Sequence, residues 1–526
     1  MKTRQKSESP IIPEGRGNPL PIGGCRKRRG GKGTPVKEAA QQLVLPFATA
    51  ETPRVKRGAG RGESVDQSTR QKKLLGPKAN GKNQKRELTM EEVVGGLEFA
   101  FQKVAANQGA PGPDRQTVEM VRKHLPTILP KLTAGLLDGT YQPGDIRRVW
   151  IPKAGGGERG LGIPNVIDRM IQEAIRMVLE PHYEPKFHPS SHGFRPNRSC
   201  HTAIIEARTY VQDGYEWVVD LDLEKFFDRV HHQRLMARLS FEIKDKRVLI
   251  LIGRMLKAKV SMPDGVKVCT DEGVPQGGPL SPLLSNIVLS ELDEELTCRG
   301  LRFVRYADDC NVYVRSERAG SRVMASVEKF INTRLRLRVN KTKSAVAKPE
   351  TRHFLGFRLR RNPGQEPEIL LSERSKERLD DRVRNLIPRN KGRSLAFHIS
   401  TVNSFLQGWA GFFGICTYGI LGSLHYADAH IRRRLRAVVL KHWKRKRTIV
   451  KRLISLGLSR RVAGLRVYEG NKRTWALSHT YAIEKTLGRK YFADRGLISL
   501  RDHFEKLLRK PIVPVQLQLN WDTARS

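Results

Sequence analysis

Apolar residues follow no regular pattern along residues 1–88, where only a short patch at 43–47 stands out. From Thr89 onward they fall into helical and strand-like spacings. Val93, Val94, Leu97 and Phe101 recur at helical spacing behind Thr89, with Glu92 three residues on, which predicts a capped helix over 89–102. Gly109-Ala-Pro-Gly-Pro stops it, and a second helix is predicted over 117–137. Short apolar runs at 147–152 and 160–164 flank a glycine loop, the pattern of a hairpin. Further helices are predicted over 166–179, 232–239, 245–256, 281–295 and 319–335, and strands over 216–223, 302–306 and 311–315. The mixture predicts an α+β fold with helices on one face of a sheet.

The stretch SFLQGWAGFFGICTYGILGS at 404–423 approaches the length of a membrane span. It holds Gln407 and five glycines and is followed by basic residues, so a buried helix pair and no membrane are expected. Val438, Val439, Leu440 and Trp443, then Ile449, Val450 and Leu453, continue with helical spacing.

Charge changes the picture. The 526 residues include 97 Lys+Arg against 53 Asp+Glu, a net of +44, which points to a polyanionic partner. Residues 1–90 carry 21 basic against 7 acidic side chains with little apolar content, and read as a disordered basic extension. Residues 431–510 carry 24 against 5 on an apolar framework, and read as folded basic helices. The scattered cysteines Cys25, Cys200, Cys269, Cys298, Cys310 and Cys416 include no CxxC pair, which argues for reduced thiols and against a zinc module. No secretory signal opens the chain, so a cytoplasmic, nucleoid-associated protein is expected.

Candidate chemistry lies in two acidic sites. In RFVRYADDCNVYVRS, residues 302–316, two alternating strands meet at Ala307-Asp308-Asp309, placing two carboxylates at a hairpin tip. In WVVDLDLEKFFD, Asp220 and Asp222 share one face of an otherwise apolar strand, where acids are costly unless something positive compensates them. Hard oxygen ligands on neighbouring strands suit Mg²⁺. Two such ions about 4 Å apart would activate a 3′-hydroxyl and stabilise a pyrophosphate leaving group. In a chain this basic, nucleotidyl transfer is the natural reaction class.

These residues resemble the ordered motifs of group II intron reverse transcriptases. The blocks are RGLGIP at 159–164, HGFRPNR at 192–198, DLEKFFD at 222–228, PQGGPLSP at 275–282, YADD at 306–309, NKTKS at 340–344 and FLGF at 354–357. The resemblance implies a right-hand polymerase fold. Asp222, Asp308 and Asp309 would be the catalytic triad holding two Mg²⁺, with Mn²⁺ as a substitute, and Asp220 would stand outside the motif. It assigns Lys153, Arg159, Gln276 and Lys343 to the incoming nucleotide, and Phe226 or Phe227 to the floor beneath the sugar, with the other ring in the core. Residues 402–413 and the clusters Arg432, Arg433, Arg434 and Lys444, Arg445, Lys446, Arg447 are similar to the helical thumb, or maturase domain X, and would contact RNA or DNA. Trp409 and Trp443 are expected mainly in the core.

The implied organisation is a basic extension at 1–88, fingers and palm at 89–368, thumb and domain X at 369–468, and a basic DNA-binding segment at 469–526. No HNH endonuclease motif is seen. The implied partners are group II intron RNA, target DNA with its primer, and dNTPs; the oligomeric state stays open. Three other readings remain: a retron-like or defence-associated reverse transcriptase, an RNA-binding splicing cofactor that no longer polymerises, and an RNA-templated RNA polymerase. The segment beyond 370 argues against the first, the intact acids against the second, and YADD in this context against the third.

Overall fold

The computed structural model describes residues 88–152, 157–269, 271–388 and 392–509. The expected extension at 1–88, apart from Leu88, lies outside them, as do Lys153 and the last 17 residues.

The chain enters through α1 (Met90–Gly95) and α2 (Leu97–Ala106). Thr89 caps α1 by accepting a hydrogen bond from the Glu92 N–H, but the single helix expected here breaks at Gly96, which ends α1 and starts α2. α3 (Val118–Leu137) follows, capped by Thr117. β1 (Ile146–Pro152) and β2 (Glu158–Ile163) form the expected antiparallel hairpin. α4 (Val166–Tyr183) is buried along most of its length, and α5 (Cys200–Gln212), which the spacing did not reveal, is closed by a capping box at Ser199.

Then come β3 (Trp217–Leu221), α6 (His232–Glu242), α7 (Lys246–Leu256), the two-residue strands β4 (Val260–Ser261) and β5 (Lys267–Val268), α8 (Ser281–Cys298), β6 (Arg302–Tyr306), β7 (Asp309–Val314), α9 (Glu317–Phe330) and β8 (Ala345–Ala347). One four-stranded sheet runs β2-β1-β4-β5 and the other runs β6-β7-β3-β8. The second sheet is antiparallel throughout.

The period-2 reading of β3 holds. Val219 and Leu221 face a core shared with α1–α4 and α6–α9, while Val218 faces a second core with Val304 and Tyr313. Helices therefore cover both faces, not one: α8 and α9 pack on one side and α5 on the other. The one-face expectation failed because it left out α5, whose Ala203, Ile204, Ala207 and Val211 fill the other face.

The second core continues through β9 (Phe357–Arg360), β10 (Glu368–Leu371), α10 (Glu373–Leu386), α11 (Leu395–Phe413) and α12 (Leu421–Trp443). α11 and the start of α12 are the helix pair expected at 404–423, and no helix among the described residues is long and apolar enough to cross a membrane. α13 (Lys446–Ser455), α14 (Arg460–Tyr468), α15 (Thr474–Leu477), α16 (Tyr481–Thr486), α17 (Arg489–Ala493) and α18 (Leu500–Arg509) complete it. Leu477, Ile483, Phe492 and Phe504 are buried in this same core. Asp428 of α12 caps α18 by accepting from the backbone N–H groups of Leu500 and Arg501 and from the Ser499 hydroxyl.

Candidate active site

The β6–β7 hairpin turns between Tyr306 and Asp309, which pair across it, so Ala307 and Asp308 form its tip. Ala307 adopts φ +56°, a left-handed conformation that side chains rarely take. β7 lies beside β3, with Leu221 opposite Cys310. Continuing that register by one residue sets Asp222 against Asp309. Strands pair at a spacing of about 4.8 Å, so acids from two distant motifs meet at one end of the sheet.

Charge at this end is only partly compensated: Lys343 pairs with Asp222 and Arg352 with Asp220. Partial burial, with the carboxylates of Asp308, Asp222 and Asp220 nearby, pushes the Asp309 pKa up to about 7, although the side chain keeps an open flank to solvent. Burial and the Asp222 carboxylate raise Asp308 as well, against the opposing pull of Arg159 and Lys343. Acids held this way favour a bound cation over ionisation in isolation.

Asp222 is fixed by the loop before β8. Its carbonyl accepts from the Asn340 N–H at 2.8 Å, and its N–H donates to Ser344 Oγ at 3.0 Å. Lys343 Nζ then sits 3.0 Å from Asp222 Oδ2. With that carboxylate turned to Lys343, no three acidic, His or Cys side chains among the described residues already close around a point where an ion would sit. The donor set is still that of a hard divalent cation: carboxylate oxygens with excess negative charge. Asp220 has a different fate. Burial raises its pKa, but Arg352 donates to Asp220 Oδ2 from Nε at 2.9 Å and Nη2 at 2.5 Å. The same Nη2 donates to the Lys343 carbonyl at 2.5 Å. The compensation demanded by an acid on an apolar strand is thus supplied by a residue that no motif singled out.

The other expected nucleotide contacts border this end. Arg159 is exposed on β2. β2 is stitched to the glycine-rich loop by the Gly162 N–H donating to the Gln276 carbonyl at 2.7 Å. Gly277 requires its glycine: its φ is +130°, and a Cβ there would lie 2.4 Å from the Gly162 carbonyl oxygen. Gln276 is half-buried beside it. Of the two phenylalanines, Phe226 is buried in the first core and Phe227 only half-buried at its edge. That leaves Phe227 as the ring able to meet a ligand.

The basic clusters divide. Lys444, Arg445 and Arg447 are exposed at the break between α12 and α13, and Lys446 Nζ lies 5.7 Å from the Tyr468 ring centre. On α12, Arg432 is half-buried and Arg433 stacks on Trp475 at 4.3 Å. Arg434 corrects the expectation of a nucleic-acid contact. It is buried, and its guanidinium donates to the carbonyls of Ile387, at 2.7 Å, and Arg384, at 3.0 Å. Those carbonyls end α10, and satisfying them is a structural task. Trp409 is buried against Phe413, and Trp443 packs half-buried at the core's edge.

Residues 151–359 match the family model "Reverse transcriptase (RNA-dependent DNA polymerase)", and residues 376–454 match "Group II intron, maturase-specific domain". Protein YkfC of Escherichia coli is 34% identical over 331 residues, covering 56% of this chain and 84% of the relative. Group II intron-encoded protein LtrA of Lactococcus lactis is 43% identical over 176 residues, 33% of this chain and 29% of the relative. Nuclear intron maturase 1, mitochondrial, of Arabidopsis thaliana is 40% identical over 90 residues, 17% of this chain and 12% of the relative. The chain thus spans most of the first of these and less than a third of the other two. A solved partial Cas6-RT-Cas1–Cas2 complex aligns over 46% of this chain and 42% of that one, at 24% identity and a TM-score of 0.31.

Proposed function

We propose, on the premise that the chain belongs to the reverse transcriptase family and carries a group II intron maturase-specific domain, that it copies RNA into DNA at a site built on Asp222, Asp308 and Asp309. The observation that carries this reading is the meeting of Asp222 with the Asp308–Asp309 tip, where acids stand together without enough positive charge to balance them. Reverse transcriptases generally use divalent metal ions. Here Asp222, Asp308 and Asp309 would hold two Mg²⁺, with Mn²⁺ as a substitute, and the ions would supply a more acidic 3′-hydroxyl and charge neutralisation on the departing pyrophosphate.

The chain's own residues do the rest. Arg159, with Lys153 expected beside it, receives the triphosphate as a guanidinium fork and a point charge. Gly277 lets the backbone come close to the nucleotide, and Gln276 borders it. Phe227 lies beneath the sugar and disfavours a 2′-hydroxyl, while Phe226 supports it from the core. Lys343, solvent-exposed beside Asp222, offers a proton and positive charge to the pyrophosphate.

The wider role is to bind a group II intron RNA, aid its splicing and copy the intron at a DNA target. Fingers and palm at 89–368 would hold template and nucleotide. The thumb and domain X at 369–468, with Lys444, Arg445 and Arg447 exposed and Lys446 beside Tyr468, would grip RNA. Residues 469–526 would contact target DNA. A cytoplasmic, nucleoid-associated protein fits these partners. The test is primer extension on an RNA template by Asp308→Ala with Asp309→Ala. Extension should disappear while intron RNA binding persists; retained extension would remove the site assignment.

A further inference from the structure

We propose that Arg305 is a positioning residue for the catalytic hairpin, holding the turn that carries Asp308 and Asp309 in its working shape. The proposal rests on the reading of those two acids as catalytic.

Arg305 is fully buried, the residue before Tyr306 on β6, and all three nitrogens of its guanidinium are used. Nε and Nη2 donate to the two oxygens of Asp293 at 2.7 and 2.6 Å. Nη1 donates to Asn286 Oδ1 at 3.0 Å and to the carbonyl of Ala307 at 2.9 Å. Ala307 is the residue whose left-handed backbone makes the turn, a conformation that is unfavourable outside glycine. Such a conformation persists where its surroundings over-determine it. Here the surroundings are a rigid fork anchored on α8.

A second segment is tied to the same fork. Asn286 and Asp293 stand seven residues apart, two turns along one face of α8. Asn286 donates from Nδ2 to the Gly193 carbonyl at 2.8 Å. Gly193 presses on the turn so closely that a Cβ there would lie 2.2 Å from the Ala307 nitrogen. The backbone joins in: the Arg305 N–H donates to the Ser190 carbonyl, and the Arg305 carbonyl accepts from the His192 N–H. Arg305 therefore connects α8, the loop at 190–193 and the catalytic tip.

Stability alone does not account for this arrangement. A buried ion pair gains little over a well-packed apolar replacement, because desolvation offsets the attraction. What an apolar pair or a lysine cannot supply is a planar fork with donors aimed at four acceptor oxygens on three residues at once.

The experiment is single-turnover primer extension by the full chain carrying Arg305→Lys, with primer-template affinity from anisotropy and thermal melting read in parallel. Lysine keeps the charge and loses the fork. The expected result is a fall of about 100-fold in the maximal extension rate, the size of effect that a misplaced catalytic group produces, with primer-template affinity within about twofold and a cooperative melt. Asn286→Ala, which leaves the Arg305–Asp293 pair in place, should lower the rate by about tenfold with the same unchanged affinity. It also keeps the proposal open to refutation if Arg305→Lys does not fold. A rate unchanged in Arg305→Lys, or in Asn286→Ala where only that variant folds, overturns the proposal. So does a parallel decline of rate, affinity and melting temperature, which would mark the network as part of the general fold. Asp308→Ala is the control: if it retains extension, the reading of the site fails, whereas its loss alongside normal Arg305→Lys rates removes only the positioning role.

Discussion

The acidic tip of the β6–β7 hairpin and helix α12 treat charge in opposite ways. At the tip, a strongly basic protein gathers acids and leaves them short of cations: Asp309 is pushed up to about 7 by partial burial and three neighbouring carboxylates. Along α12, a run of arginines in the most basic part of the chain is partly consumed inside the protein. Arg434 is buried on the carbonyls that end α10, and Arg436 on the Ser478 carbonyl and Glu484. Net charge is therefore a poor guide to either region. Charge left unsatisfied by the fold marks a place where a ligand completes the structure, and charge satisfied by the fold marks a joint. Lys444, Arg445 and Arg447, exposed just beyond α12, belong to the first class by exposure.

The sharpest way to break this contrast is at the tip. Asp222→Asn should lower extension on an RNA template by about 10³-fold or more, as loss of a core catalytic group does, whereas Asp220→Asn, two residues away on the same face but engaged by Arg352, should leave extension readily measurable. Equal losses from the two would mean that the ion pair does not separate their roles.

A smaller effect is expected at the exposed cluster. Replacing Lys444, Arg445, Lys446 and Arg447 with Ala should weaken intron RNA binding and flatten its salt dependence by about 0.7–0.9 in log–log slope for each phosphate that is no longer neutralised. Titrations at several salt concentrations read this directly. An unchanged slope would make the cluster an ordinary solvated surface and remove it from the class of unsatisfied charge.

What the sequence made legible follows the range of the interactions involved. The hairpin could be read because alternation on either side of a short turn is a local signal, but the turn falls one residue early: Ala307 and Asp308 form it, and Asp309 already pairs with Tyr306 as the first residue of β7. Asp222 could be placed on its strand for the same reason. The partner of Asp220 could not be placed, since Arg352 is 132 residues away and belongs to no periodic pattern; only the need for a counter-charge was visible. β4 and β5 are two residues each, too short to carry a period. Arg305 adjoins the YADD motif in plain view, yet its alternation in β6 says only that it faces inward; Asp293, twelve residues away on α8, explains how it can.

Arg434 tests the other half of the contrast, with the smallest expected change. In sequence it is indistinguishable from Arg432 and Arg433, and all three sit in a cluster that reads as a nucleic-acid contact. In the fold its guanidinium closes the C-terminal end of α10, whose last carbonyls have no helical partner of their own. Arg434→Ala would leave those buried carbonyls unsatisfied, at a cost of about 1–3 kcal/mol in stability, read as a lower midpoint in urea unfolding. The salt slope of RNA binding should stay where it was, because the side chain neutralises no phosphate. A lowered slope with an unchanged midpoint would reverse the assignment and return Arg434 to the nucleic-acid surface. It would also show that burial against carbonyls does not distinguish a structural arginine from a binding one on this helix.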